Sequence, residues 1–199
     1  MDASGNIYGT SGQALGGPPA TVFELSPDGK GGWTPTGLHT FTGYPNDGDY
    51  PMGTLVFDKA GNLYGTTALG GAHCKRNVVP SGCGTVYKLS PGKNGQWTET
   101  ILASFFGSRG IQPTSGVTLD AAGNIYGTTD FGGSGRKGTV YELVAGKGGK
   151  YKEKVLWTFG GTNGSVPFAG VILDSSGNLY GTAQSNGAGG AGVVFEVTP

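Results

Sequence analysis

The sequence predicts an all-β chain assembled from four copies of one unit, on three observations. A nine-residue phrase, Asp-x-x-Gly-Asn-(Ile/Leu)-Tyr-Gly-Thr, begins at Asp2, Asp58, Asp120 and Asp174, with aspartates 56, 62 and 54 residues apart. The apolar residues come in short β-branched and aromatic runs with no sustained helical period. Glycine contributes 42 of 199 residues without a Gly-x-y period, which calls for many tight turns rather than collagen or disorder.

Each period holds four strand-like runs. The first follows a proline, Pro51 to Asp58, Pro113 to Asp120 and Pro167 to Asp174. Its uninterrupted apolar residues, such as Val171-Ile172-Leu173, suit a strand buried on both faces. Asp-x-x-Gly-Asn is then a turn, where the carboxylate accepts backbone N–H groups and glycine takes positive φ. The second strand is the Tyr-Gly-Thr run, and glycine inside a strand signals a bulge or a close approach of another backbone. The third reads Thr21-Val-Phe-Glu-Leu25, Thr85-Val-Tyr-Lys-Leu89, Thr139-Val-Tyr-Glu-Leu143 and Val193-Val-Phe-Glu-Val197. The fourth runs from Trp33 to Phe41, Trp97 to Phe105 and Tyr151 to Phe159, each an aromatic followed by Leu five residues on and Phe three after that.

Four strands per period joined by hairpin-length turns make an antiparallel meander, and such meanders repeated about an axis make a β-propeller. The expected architecture is therefore one propeller-like domain over 1–199, with repeats over about 1–45, 46–107, 108–161 and 162–199. Fourteen strands are expected, because the first repeat lacks its proline-led strand and the last its aromatic-led one. That leaves Val193–Val197 as an apolar edge. Three readings follow: a piece of a longer tandem array, two copies joined head to tail into a closed ring, or a lone four-blade ring.

The Pro-x-x-Gly-x-x-x-Asp lead-in, Gly-Asn-(Leu/Ile)-Tyr-Gly-Thr, the Gly-Gly loops (Gly70-Gly71, Gly132-Gly133, Gly189-Gly190) and Gly-Thr-Val-Tyr recur in fixed order along nearly the whole chain. In these motifs the sequence resembles the GloVer-type tandem-repeat family and, more broadly, NHL-like propellers. The first repeat departs from the pattern, with Ala20 before Thr21 and its glycine pair at Gly16-Gly17. The resemblance implies a bacterial, exported, propeller-like protein whose targeting segment lies outside these residues. It carries no catalytic residue across. In an oxidising compartment Cys74 and Cys83 would form a disulfide, and two reduced thiols are the alternative.

Charged residues are sparse and balanced, 13 of each sign. That excludes the basic patch nucleic acid requires, and no apolar run is long enough for a transmembrane helix. No Gly-x-Ser-x-Gly appears, and the glycine-rich stretches, Gly187–Gly190 included, lack the strand-to-helix setting of a phosphate loop.

In a meander the second-to-third-strand loops share one end with the links between repeats, and the unusual residues belong to that end. The loop of the second repeat exceeds the third's by eight residues and carries His73, Cys74, Lys75, Arg76 and Cys83. The link Thr42–Tyr50 carries Tyr44, Asp47, Asp49 and Tyr50; Arg109, Asp130, Arg136 and Asn163 map to the same end. Loops on one end of a rigid frame are the usual place for binding. Tyr44, Tyr50, Arg76, Asp130, Arg136 and Asn163 are therefore the expected binding face. No cofactor motif is evident. A divalent metal held by His73, Asp47 and Asp49, with Arg109 as anion clamp, is the catalytic reading these loops leave open. Solvated turn residues are the plainer one. A zinc site of His73, Cys74 and Cys83 lacks a fourth ligand, and Asp47-Gly48-Asp49 lacks the rest of a calcium loop. His39, inside the fourth-strand pattern, reads as structural. The four repeated aspartates read as turn caps rather than a carboxylate ring, and the Tyr and Phe series as core rather than a sugar-stacking platform.

Two functions follow. One is a binding or scaffold module offering its loop face to a glycan, peptide or protein partner. The other is a metal-dependent hydrolase of a lactone or phosphoester, which rests on fold analogy.

Overall fold

A computed structural model describes residues 1–12, 19–74 and 81–199. It is all-β, with four antiparallel sheets in chain order. The first sheet holds β1 (Ile7–Ser11), β2 (Thr21–Pro27) and β3 (Trp33–Thr40). The second holds β4 (Gly48–Pro51), β5 (Val56–Phe57), β6 (Leu63–Gly70), β7 (Thr85–Pro91) and β8 (Trp97–Ser104). The third holds β9 (Thr118–Leu119), β10 (Ile125–Thr129), β11 (Thr139–Ala145) and β12 (Tyr151–Thr158); the fourth holds β13 (Ile172–Leu173), β14 (Leu179–Ala183) and β15 (Val193–Val197). Among the described residues helix is confined to 3-10 turns of three residues. Fifteen strands stand among these residues where fourteen are expected, the extra being β4, which lies beside β5 along one edge of β6.

The Asp-x-x-Gly-Asn turns form as the sequence predicts, and they do so identically. In each, one carboxylate oxygen accepts two backbone N–H groups, for example Ala122 at 2.9 Å and Asn124 at 2.8 Å on Asp120. The other oxygen accepts the Asn124 side-chain amide at 2.8 Å and the Tyr126 hydroxyl at 3.1 Å. Asp2, Asp58 and Asp174 repeat the set with Tyr8, Tyr64 and Tyr180. These donors outweigh burial and hold the Asp58 and Asp120 carboxyls below their ordinary values.

The glycine after each of these tyrosines has a different job from the one expected. The ladder runs through it without a bulge, pairing Gly9 with Phe23, Gly65 with Tyr87, Gly127 with Tyr141 and Gly181 with Phe195. The partner's ring lies over the glycine, so a Cβ at Gly127 would stand 2.4 Å from the Tyr141 hydroxyl and one at Gly181 2.4 Å from the Phe195 ring. The space is filled by a side chain of the same sheet, not by a neighbouring backbone. The bulge sits one step away, on the other side of the third strand, at Val22/Phe23, Val86/Tyr87 and Val140/Tyr141.

Close backbone approach occurs instead in the proline-led segments, which also corrects their expected extent. Apart from Pro51, which ends β4, only two residues of each pair as strand (β5, β9, β13), and they are half-buried or exposed rather than covered on both faces. The rest turns toward the next sheet. A Cβ at Gly53 would stand 2.5 Å from the Ser115 carbonyl, and one at Gly116 would strike Thr54. The Thr66 hydroxyl donates to the Ser115 carbonyl at 2.7 Å and the Thr128 hydroxyl to that of Ala169 at 3.0 Å. Polar groups that a longer strand would satisfy within its own sheet are satisfied by the neighbour.

Three apolar clusters lie between consecutive sheets. Ala20, Val22, Leu38 and Phe41 meet Leu63, Tyr87 and Leu89. Tyr64, Val86 and Phe105 meet Ile125, Tyr141 and Leu143, with Cys74 and Cys83 joining them. Tyr126, Val140 and Phe159 meet Val171, Leu179 and Val197.

Phe105, 1 % exposed and 4.9 Å from the Tyr141 ring, ties the middle cluster together. Phe105→Ala is expected to lower unfolding free energy by about 3–5 kcal/mol, measured by denaturant titration. Gly127→Ala is expected to cost about 1–3 kcal/mol by overpacking against Tyr141. On a Tyr141→Leu background the same glycine change is expected to cost under about 1 kcal/mol, and equal cost in both backgrounds would contradict the ring-over-glycine account.

Candidate functional site

The links between sheets meet the second-to-third-strand loops at one end, as the meander requires: the Gly71 N–H donates to the Asp47 carbonyl at 2.8 Å, and that of Gly133 to the Gly107 carbonyl at 3.0 Å. Each link enters the next sheet through a non-glycine residue of positive φ just before the proline, Tyr50 at 59°, Gln112 at 59° and Val166 at 54°. Such a conformation is rare for a β-branched residue. Its backbone is fully used at two of the three positions: the Gln112 N–H donates to Cys83 and its carbonyl accepts from Asp130, while Val166 pairs likewise with Lys137 and Gln184.

Counting back from Pro51, Pro113 and Pro167, the links place Asp47, Arg109 and Asn163 at one equivalent position. Across the first two seams stands a glutamate, the third residue of β8 (Glu99) or β12 (Glu153). At the second seam the Arg109 guanidinium pairs with Glu153 at 3.3 Å while lying 5.0 Å over the Phe106 ring. Burial pushes the Glu153 carboxyl up, and Arg109 opposes that.

At the first seam the cation of the link is replaced by a carboxylate, and an imidazole joins from β3. His39 Nε2 lies 3.4 Å from Asp47 Oδ2 and 3.5 Å from Glu99 Oε2. It is aligned for a hydrogen bond with neither, and Glu99 Oε1 is likewise buried without a partner. Asp47 is fixed by its own link: Oδ2 accepts the Thr42 amide at 2.7 Å and the Thr42 hydroxyl at 3.1 Å, and Oδ1 accepts the Gly48 amide. Burial would raise the Asp47 carboxyl, but His39 and these donors hold it below its ordinary value. Burial would lower His39, and the two carboxylates outweigh it and raise the imidazole. Burial, with Asp47 nearby, pushes Glu99 up to about 7 despite His39. Burial and the Glu99 charge also raise the Tyr87 hydroxyl, which is fully buried and unpartnered.

The structure distributes the residues singled out in the sequence among several places. Asp47 joins His39 and Glu99, so His39 is more than a strand filler. Asp49 stays half-buried beside Gly43 and receives the Tyr50 amide at 2.7 Å. His73 is exposed and packs edge-on to Phe106, sharing a shallow hollow with Arg109, Ser104, Tyr151 and Glu153. Tyr50, Arg136 and Asn163 are exposed, Tyr44 is half-buried, and Arg76 lies outside the described residues. Asp130 is a correction: at 2 % exposure, with both oxygens taking the Thr114 hydroxyl, it belongs to the interior and not to a binding face. Cys74 and Cys83 are joined as a disulfide, Cα atoms 5.4 Å apart, so neither is a free zinc ligand. Among the described residues, the group of three metal-competent donors is His39, Asp47 and Glu99.

Glu99 and Glu153 escaped the sequence reading. Their signal was available: each lies two residues after an aromatic, on the apolar phase of its strand, where a charge is out of place.

Burial raises the Asp130 carboxyl from 3.8 to about 6, with Thr114 opposing. Because its folded value exceeds the unfolded one, this group makes stability fall as pH rises from about 4 through about 6. Asp130→Asn keeps an acceptor for Thr114. It is expected to raise the melting temperature at pH 7.5 and to make little difference at pH 4; a loss at both would contradict the assignment.

No curated protein matches this chain. Among solved structures, a protein of unknown function from Dyadobacter fermentans DSM 18053 is similar at a TM-score of 0.49 and 15% sequence identity. The match covers 89% of this chain and 52% of that one, so the chain spans about half its length. The model of the Gloeobacter/Verrucomicrobia repeat matches residues 1–199, and the chain belongs to that family.

Proposed function

We propose that this chain is an exported binding and scaffold module of β-propeller type, whose sheets are blades and whose two end faces close against a second copy joined head to tail. One observation carries the assembly. Val22, Val86 and Val140 occupy the same position in three sheets and are all 0 % exposed beneath the sheet that follows; Val194, their counterpart in the fourth, is 80 % exposed. Ile172, on the same face, is 69 % exposed.

The opposite half of that interface is open on the first sheet. Leu63, Tyr87 and Leu89 in the second sheet and Ile125, Tyr141 and Leu143 in the third are all 0 % exposed, whereas Ile7, Phe23 and Leu25 are only half-buried. The free faces are therefore the two halves of a contact that the chain already makes three times. A head-to-tail contact between copies joins them, and a rotation that closes gives a ring.

The loop end then offers a partner the exposed Tyr50, His73, Arg109, Arg136 and Asn163, a mixed aromatic and cationic set suited to a glycan or an acidic peptide. The Cys74–Cys83 disulfide accords with an oxidising compartment. The hydrolase alternative draws no support from its own residues, since Asp47 alone of His73, Asp47, Asp49 and Arg109 belongs to a three-donor group.

Light scattering across a concentration series is expected to show an assembly larger than the 20.1 kDa of one chain. Val194→Glu is expected to return single chains with the same β-sheet circular dichroism. A wild-type protein that remains single at every concentration overturns the assembly.

A further inference from the structure

We propose that His39, Asp47 and Glu99 form a binding site for a divalent transition-metal ion of the zinc class, which ties the first sheet to the second. The site lies where the first link, at the module's loop end, meets β3 and β8, and it does not depend on assembly.

Both separations from the imidazole fit a tetrahedral ion. Ligand atoms at about 2.0–2.2 Å from a tetrahedral zinc stand about 3.3–3.6 Å apart. His39 Nε2 is 3.4 Å from Asp47 Oδ2 and 3.5 Å from Glu99 Oε2, and the three donor atoms lie within 4.8 Å of one another. An imidazole with two carboxylates suits zinc or cobalt(II), whereas calcium and magnesium favour oxygen alone.

The hydrogen-bonding pattern fits an ion better than it fits an ion pair. A histidine that merely neutralises a carboxylate aims its N–H at one oxygen. Here Nε2 stands between two carboxylates at nearly equal range, without a well-aligned hydrogen bond to either. Glu99 Oε1 is unbonded too, but so is Glu153 Oε1 at the second seam, and it is the imidazole that sets the first seam apart. Buried polar atoms are rarely left so. The Gly48 amide holds the other Asp47 oxygen, Oδ1, the kind of outer support that orients a metal ligand, while the Thr42 amide and hydroxyl share Oδ2 itself.

Comparison of the seams supplies an independent reason. At the second seam the link provides Arg109, which answers Glu153 directly, and Ala103 stands where β3 has His39. At the first seam the link provides Asp47, so the chain has exchanged its own cation for a second carboxylate and added an imidazole. Glu99 keeps its place and its burial. The positive charge that Arg109 supplies at one seam is left at the other to a single imidazole or to a bound cation. The ligands come from β3, the following link and β8, so an ion here joins two sheets across the edge of their shared apolar cluster.

The test uses the full chain, stripped with chelator and dialysed, and titrated with zinc by calorimetry and with cobalt(II) by visible absorption. One ion per chain, a rise in melting temperature with zinc, and the intense d–d bands of low-coordinate cobalt with nitrogen and oxygen ligands are expected. His39→Ala and Glu99→Gln are each expected to weaken binding by more than about 100-fold. His73→Ala and Asp49→Asn are expected to leave it unchanged. Circular dichroism of the nearly isosteric Glu99→Gln protein separates loss of the site from loss of the fold. Absence of stoichiometric binding by the wild-type chain overturns the proposal, as does binding that survives His39→Ala and Glu99→Gln. Binding lost in His73→Ala alone overturns it too, by placing the ion on the loop.

Discussion

No sheet in this chain can bury both of its own faces, and the apolar side chains leave water only where the next sheet covers them. That constraint governs the rest. A sheet of three to five strands is one layer thick, and an isolated layer exposes as much apolar surface as it hides. The three apolar clusters each draw on two consecutive sheets. Stability is thus a property of neighbouring pairs, as in other repeat arrays.

Two local devices let the layers approach. The first lays the ring of Phe23, Tyr87, Tyr141 or Phe195 across a cross-strand glycine, so that a large side chain occupies the thickness of a backbone. The ring's area is buried within the sheet's own surface, which leaves that surface flat enough to receive the next. The second abandons regular pairing in the proline-led segments. Their carbonyls turn to hydroxyls of the preceding sheet, as Ser115 does to Thr66 and Ala169 to Thr128. A longer strand there would keep those bonds inside one sheet and hold the layers apart.

Much of this was legible in the sequence because the repeat states it four times. The Asp-x-x-Gly-Asn turn, the four-strand order and the third- and fourth-strand limits follow from local chemistry, and local chemistry is what a short motif encodes. The purpose of the Tyr-Gly pair was not legible, since the residue that needs the glycine's space lies fourteen or more positions away across a hairpin whose register sequence does not fix. The proline-led segments misled for a related reason: apolar continuity reports burial but not whether the neighbour is a strand of the same sheet or the next sheet's backbone. The candidate site was half legible. Asp47 stood out in its long link, but His39 and Glu99 matter only through a meeting across two sheets, and each alone resembles an ordinary strand residue.

The repeat conserves its frame and varies its seams. Equivalent link positions hold Asp47, Arg109 and Asn163, and these are not neutral exchanges, because a glutamate faces the first two from the following sheet. Burying that glutamate costs free energy unless something of opposite charge meets it. At the second seam Arg109 does so, pairing with one oxygen of Glu153. At the first seam an aspartate stands in that place, which adds to the cost, and a single histidine shared between two carboxylates offsets only part of it. A seam built only for cohesion would be better served by the Arg109 solution, which the same chain already possesses one repeat later. That the first seam departs from it, while Thr42 and Gly48 hold Asp47 firmly in position, marks the departure as a site and not as drift.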